Sequence, residues 1–497
     1  MRKKASLLFF LRILKVFLSI LNLTIAAKYF GVSLDRDIWI LALTTILVVD
    51  MAIWGPINET FRAKYITTRE LEGEAVALEK MNSLLLFTSI VSLGITLIVI
   101  LFSDLLAQAV APGFKGNELL KLSNMFIYVA PILLINQLIQ IGISVLNAYD
   151  IFFIPEIASF GTSIFNIVLT VILAPIYGVY SLAIAYYVGV FLLLGLVVYY
   201  VKKLNKNIIR NLFSKKPNTL FLPFLIFALP FFLPYFFGQA NTLFEKSLAS
   251  KLFVGAISSI DYARKFSETF NTVISSVLTT MLIPVLALHY SKNEKEKYVA
   301  QFIQMLRLGF LVIILMVTVF TISPNAFVTI VYPTLSYENS NQIAKLITFY
   351  SWGALPIFVY VISGIALMTY GKSKIYAIFG MVAQILNIVI NWIGYKQFGL
   401  SIFPLSLFFS HLICGGIMLY YFPVSENNIG KNLLKAIGIF IWTLTWCFCI
   451  DKMLNLTNVY LEVLSVSFGS MMALIVALVL FKMEEAVFLK KLFLKKK

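Results

Sequence analysis

Runs of about 20 apolar residues recur along almost the whole chain, and each is long enough to cross a bilayer core of ~30 Å. In hydrocarbon, every backbone N–H and C=O must find a partner inside the span or in a closed barrel. Spans of this length are therefore read as helices. Fourteen are expected, at about 6–30, 38–60, 82–103, 122–148, 155–175, 180–201, 221–248, 259–288, 302–324, 343–369, 375–395, 400–422, 433–451 and 459–481. No stretch between them is long enough for a soluble domain. The fold class that follows is an all-α integral membrane protein. Composition agrees, with 60% hydrophobic and only 13% charged residues.

Charge placement orients the spans. The N-terminal basic residues Arg2, Lys3, Lys4, Arg12 and Lys15 precede a long apolar stretch with no small-x-small cleavage site after it, so this stretch is read as a first span rather than a signal peptide. With an inward N-terminus, the inner loops hold Arg62, Lys64, Arg69 and Lys80, then Lys202 to Lys216, Lys292 to Lys297, Lys372 and Lys374, and Lys431 and Lys435. The outer loops hold far fewer, such as Arg36, Lys115, Lys121, Lys396 and Lys452. This is the positive-inside pattern, and it places both termini in the cytoplasm. The net charge of +17 is thus topological and does not call for nucleic acid. The basic segment between spans six and seven is expected to lie on anionic headgroups of the membrane lipids. Cys414, Cys447 and Cys449 all sit inside apolar runs, which argues against a disulfide framework or a metal site. His289 and His411 are far apart in sequence and are read as packing or interfacial residues.

The chain repeats itself. At an offset of 221, residues 146–201 align with 367–422 without a gap. Leu146, Tyr149, Ile157 and Ile164 meet Leu367, Tyr370, Ile378 and Ile385; Asn166 meets Asn387; Gly178, Gly195 and Tyr199-Tyr200 meet Gly399, Gly416 and Tyr420-Tyr421. A shorter echo pairs Gly31…Asp37 with Gly255…Asp261. The offset covers an even number of spans, so the repeat is parallel, and parallel repeats place a substrate path between halves. The expected organisation is a six-helix lobe at 1–205, a basic linker at 206–220, a second six-helix lobe at 221–425, and two extra helices with a basic tail at 426–497. The two lobes are expected to surround a central cavity.

Ionisable residues inside spans cost about 2.5–3.5 kcal/mol each on insertion scales and need a reason. The second span carries Asp37 and, ~20 Å deeper at the helical rise, Asp50; the seventh carries Glu245 and Lys246; the eighth opens with Asp261, Arg264, Lys265 and Glu268. Spacing lets Asp261 reach Lys265 and Arg264 reach Glu268 at i,i+4. Asp37 and Asp261 stand at helix N-termini, where a carboxylate caps free N–H groups. Lys28 is placed to snorkel or to face a cavity. Asp50 is too deep for a cap and, with Glu245, is a candidate for ion coupling. Pro223, Pro230 and Pro234 crowd the seventh span before Gly238. Proline removes a backbone bond and kinks a helix, so this span is expected to bend, either as a gate around Pro230, Pro234 and Gly238 or as a static shape.

These residues also carry a family resemblance. Ala27-Lys28-Tyr29-Phe30-Gly31 with Asp37, Ala111-Pro112-Gly113-Phe114, Leu146-Asn147 with Phe153, Pro155 and Asn166, and the stretch from Gln239 to Pro284 through Tyr262-Ala263, Lys265 and Glu268 resemble motifs of the MurJ/MviN lipid II flippases. That family lies in the multidrug/oligosaccharidyl-lipid/polysaccharide exporter superfamily, and the likeness runs from about residue 26 to 425. It implies a transporter, not an enzyme, in the bacterial inner membrane, with a lipid-linked saccharide as substrate and cell-envelope synthesis proteins as partners. It implies substrate-binding roles for Lys28, Asp37, Lys246, Arg264, Lys265 and Glu268, with the cations holding a diphosphate. No cofactor is implied, beyond coupling to the membrane potential or a monovalent ion. Departures stand beside the likeness: arginines of the family fall near Val16, Asn22 and Asp50 here, and Lys265 replaces an arginine, losing bidentate geometry toward phosphate.

Three function classes follow. The first is a flippase for lipid II or for a related O-antigen or capsule oligosaccharide. The second is a cation-coupled drug antiporter using Asp37, Asp50 and Glu245. The third is a membrane glycosyltransferase, for which Asp35-Arg36-Asp37 would be the D-x-D pattern; the outer loops are too short for its catalytic domain. No P-loop is present, so ATP hydrolysis is not expected.

Overall fold

The structure, a computed structural model, describes residues 2–204, 220–422, 426–481 and 483; the side chains of 2–13, 234, 270, 272–281 and 426–429 lie outside the described set. The basic segment 205–219 and the tail 484–497, on which the linker and C-terminal charge readings fall, are also outside it. Among the described residues there are helices and no strands. Ten helices are long and apolar enough to cross a membrane, or eleven if the bent pair Leu222–Phe231 and Tyr235–Ser250 is one span. This count covers the described residues only. One of the ten, Ser373–Tyr420, contains two consecutive helices. The expected first and eighth spans are not among the ten, because the side chains of 2–13 and of 270 and 272–281 lie outside the described set.

The chain divides into two compact units, Met1–Ser258 and Ser259–Lys497. The first holds α1 (Arg2–Phe30), α2 (Leu34–Glu72), α3 (Glu74–Leu101), α4 (Ser103–Val110), α5 (Asn117–Val129), α6 (Ile132–Ala148), α7 (Phe153–Tyr177), α8 (Tyr180–Leu204), α9 (Leu222–Ala228), α10 (Phe232–Ser250) and the first turn of α11 (Ala256–Ser291). The second holds the rest of α11, then α12 (Lys295–Ile322), α13 (Pro324–Val331), α14 (Tyr337–Thr369), α15 (Ser373–Phe398), α16 (Ile402–Tyr420), α17 (Glu426–Leu454) and α18 (Val459–Leu480).

In the first unit α2 is the hub. Trp54, Ile57, Phe61 and Tyr65 form one of its faces and pack on Ala77, Met81 and Leu84 of α3, Ile141 and Val145 of α6, and Phe224 of α9. Phe61 stacks on Tyr65 and Phe224 at 5.5 and 5.1 Å. Lipid tails are as apolar as these side chains, so close packing and interhelical hydrogen bonds hold the helices together, not transfer from water. Trp54 supplies both, because its indole N–H donates to Ser92 Oγ of α3 at 2.9 Å.

The offset of 221 reappears in the helix boundaries. α3 and α12 span Glu74–Leu101 and Lys295–Ile322; α4 and α13 span Ser103–Val110 and Pro324–Val331. All four limits differ by the same 221, well upstream of the aligned sequence. The turns match in detail. After α6, Ile151 N–H donates to the Leu146 carbonyl and Asp150 N–H to Asn147. After α14, Lys372 N–H donates to Leu367 and Gly371 N–H to Met368. Both are Schellman C-caps, which require a left-handed residue at C′. That residue is Asp150 at φ 58° in one and Gly371 at φ 81° in the other.

Candidate functional site

The α1–α2 turn shows how the motif residues work. Ser33 caps α2, its hydroxyl accepting from Arg36 N–H at 3.3 Å. Asp37, one turn further on, is therefore not needed by its own helix and caps another. Its Oδ2 accepts from Gly255 N–H at 2.6 Å and its Oδ1 from Ser258 N–H at 2.7 Å, at the start of α11. Asp37 is wholly buried. Against the expectation that it caps its own helix, it binds backbone amides at the start of α11. The positive end of the helix dipole and two orphan N–H groups explain the choice of a carboxylate. Lys246 on α10 adds a favourable positive charge.

Gly113 of the Ala111–Phe114 motif packs against the end of α10, just before the start of α11. Its N–H donates to Ser250 Oγ at 3.3 Å, and a Cβ there would collide with the Ser250 carbonyl. Only glycine allows this backbone-to-backbone approach.

The other charges of the first unit are buried or at its surface. Lys28 is exposed in the last turn of α1, 5.6 Å from the Tyr29 ring. Glu245 and Lys246 are buried on α10. Asp50 is buried midway along α2, and among the described residues no group donates to its Oδ1. Nearby on the same helix, Asn58 pairs with Gln137 of α6 through bonds of 3.2 and 3.4 Å, and Tyr235 of α10 donates to Glu59 at 3.2 Å. Sequence reasoning missed Asn58, Glu59, Gln137 and Tyr235. The available signal was a polar residue inside an apolar run, which singles out Asp50, Glu245 and Lys246 but was not followed to these four. The seventh expected span does break: Leu222–Phe231 and Tyr235–Ser250 meet at 62°. Pro230 sits in the single 3-10 turn between α9 and α10. Pro234 follows in α10, its side chain outside the described set, and a Cβ on Gly238 would meet nothing within 4 Å.

In the second unit α11 carries the charge. Arg264 Nε and Lys265 Nζ stand 3.9 and 3.8 Å from the two carboxylate oxygens of Glu268. The expected Arg264–Glu268 pair is present, whereas Lys265 turns to Glu268 rather than to Asp261. Arg264 also lies 5.3 Å from the Tyr350 ring of α14 and is mostly covered. Lys265 and Glu268 are open, at 38% and 51% side-chain exposure. Arg307 on α12 is a further half-buried cation that the sequence reading passed over. His411 packs edge-on to Tyr360 at 4.9 Å. His289 bonds Glu294 at 2.7 Å in the α11–α12 turn. Lys297 and then His289 hold the Glu294 carboxyl below its ordinary range. Among the described residues no three His, Cys, Asp or Glu side chains gather where a metal could bind.

A family model described as lipid II flippase MurJ matches residues 26–487. The chain belongs to the MurJ lipid II flippase family. A curated MurJ relative from Borreliella burgdorferi, named a probable lipid II flippase, is 22% identical over 440 residues, covering 84% of this chain and 82% of its own. A solved structure of a lipid II flippase MurJ in an inward closed conformation superposes with TM-score 0.83 at 18% identity, over 96% of this chain and 99% of that one. An inward-facing multidrug resistance MATE transporter of the MOP superfamily shares the fold more loosely, with TM-score 0.70, 12% identity, and 83% and 97% coverage. MurJ membership makes this a multi-pass membrane protein of a transporter family, with a MurJ-like helical fold.

Proposed function

We propose that this chain moves an undecaprenyl-diphosphate-linked saccharide, the peptidoglycan precursor lipid II, from the inner to the outer leaflet by alternating access. Family membership supports the cargo. The observation that carries the site is Lys265, a basic residue on a helix within an apolar chain, half-open beside a more open Glu268. An ammonium at such a position is costly unless it meets water or an anion. We assign the diphosphate to Lys265 and Lys28, with Arg264 and Lys246 assisting. Glu268 holds the Lys265 ammonium when no anion is bound. Asp50 and Glu245 are assigned to coupling with a monovalent ion, since Asp50 has an oxygen with no donor. The membrane potential contributes too, because each negative charge carried outward gains ~2.3 kcal/mol per 100 mV. The 62° break beside Pro230 and Pro234 is assigned to gating, with Gly238 following it. The full arrangement of this reading is fourteen spans with both termini cytoplasmic, in two six-helix lobes at 1–205 and 221–425 followed by two further helices.

The departures at Val16, Asn22 and Asp50 favour, as second reading, a lipid-linked O-antigen or capsule oligosaccharide. Complementation of a strain depleted of its lipid II flippase separates the two. Rescue supports the lipid II reading; failure there with rescue of a surface-polysaccharide flippase mutant overturns it.

A further inference from the structure

The second unit contains an apolar cavity of about 390 Å³ walled by α12, α14, α16 and α17. All four helices lie in segments long and apolar enough to cross a membrane. The floor is buried, at Phe310 and Ile314 of α12, and the mouth is open, at Leu412 of α16 and Ile437 of α17, which are 49% and 54% exposed. Phe409 and Ile413 of α16 and Ile441 of α17, on the same two helices, are apolar and exposed as well. The cavity therefore opens on hydrocarbon. Trp352 brings the one polar group of the lining, and its indole N–H already donates to Thr321 Oγ1 at 2.9 Å.

Water does not fill such a space, because it would find no hydrogen-bond partners. Left empty, the cavity would forfeit dispersion contacts on every wall. A sugar or diphosphate would be unpaired there. We propose that the cavity holds a hydrocarbon chain of a bilayer phospholipid, retained as a structural lipid. The lining contacts a chain and offers nothing to a headgroup, so it does not discriminate among lipids. Its occupant is then set by abundance through mass action, which favours bulk phospholipid over a scarce polyprenyl carrier. One wall, α17, lies beyond the aligned repeat, which ends at residue 422. The proposal does not depend on the cargo assignment.

Gly416 of α16 supplies the test. It lines the cavity, and a Cβ added there meets nothing within 4 Å. Gly416→Leu therefore places its side chain in open space and also favours the helix. Leu433→Phe plugs the cavity from α17 if the first variant does not fold. Native mass spectrometry of full-length protein, purified in mild detergent with its membrane lipids, is expected to find phospholipid retained by the wild type and lost from the plugged variant. Adding phospholipid to delipidated protein is expected to raise the Tm of the wild type and leave that of the variant unchanged. Equal phospholipid retention by wild type and plugged variant would overturn the proposal. So would retention of a polyprenyl diphosphate lipid in place of phospholipid.

Discussion

Helices α2 and α11 begin with the same Gly…Asp echo, yet they hold their charges in opposite ways. In α2, Asp37 is wholly enclosed and both its oxygens are committed to backbone amides. In α11, Lys265 and Glu268 remain open, and Arg264 and Lys265 stand nearly 4 Å from the Glu268 carboxylate. Short, buried bonds to backbone set a helix in place; long contacts between open side chains are easily exchanged for a ligand. The comparison separates a charge committed to backbone amides from an open one, which the proposed function gives to substrate. Motif membership alone did not separate them, because both residues belong to motifs shared with the family.

The strongest way to break this distinction is at Gly113, on the structural side. Gly113→Ala drives a methyl group into the Ser250 carbonyl, where backbone cannot yield as a side chain would. Loss of most folded protein is expected, read by fluorescence-detected size exclusion; normal yield with full transport would show that this contact is dispensable. Next is Asp37→Ala, which leaves two amides of the α11 start unsatisfied. It is expected to cost about 1.5–3 kcal/mol, seen as a lower Tm in detergent. A variant as stable as wild type but inactive in transport would move Asp37 to the substrate side of the comparison.

A smaller effect tests the two Schellman turns. Asp150 occupies the left-handed position that Gly371 fills in the other turn, and this conformation is costly for any residue with a Cβ. Asp150→Gly is expected to stabilise by about 1 kcal/mol; destabilisation would mean that the Asp150 side chain does something its turn geometry does not require. The smallest effect is at Glu294, whose carboxyl is held below its ordinary range by Lys297 and His289. A depressed carboxylate contributes stability above its unfolded pKa and loses it as pH falls through the folded value. The Tm difference between wild type and Glu294→Gln should therefore be present at neutral pH and vanish in acid. A difference that persists in acid would show that the contacts act without charge.

Much of this was legible in the sequence, for reasons that can be named. Apolar run length showed helices and a membrane, because the bilayer imposes a length. The offset of 221 pointed to matched turns, because Tyr149 and Tyr370 follow helix ends of the same geometry. The i,i+4 rule found Arg264–Glu268. It also offered Asp261 to Lys265, which instead turns to Glu268 one residue closer. The proline cluster showed that the seventh span breaks but not its angle. Asp37 was legible as a cap, yet its partner lies 218 residues away at Gly255. Local sequence carries no record of which distant helix end a carboxylate will meet. The Asn58–Gln137 pair and the Glu59–Tyr235 bond were hidden for the same reason. The apolar cavity was hidden because its lining reads as ordinary lipid-facing helix.

The central claim is that Lys265 meets the diphosphate while Asp37 only holds the structure. Lipid II flipping by purified protein in proteoliposomes under an imposed inside-negative potential, comparing wild type with Lys265→Ala and Lys265→Arg, tests it most directly. The account predicts at least a tenfold loss for Lys265→Ala, corresponding to about 1.4 kcal/mol, with an unchanged Tm and substantial recovery in Lys265→Arg. Full flipping by Lys265→Ala would contradict it.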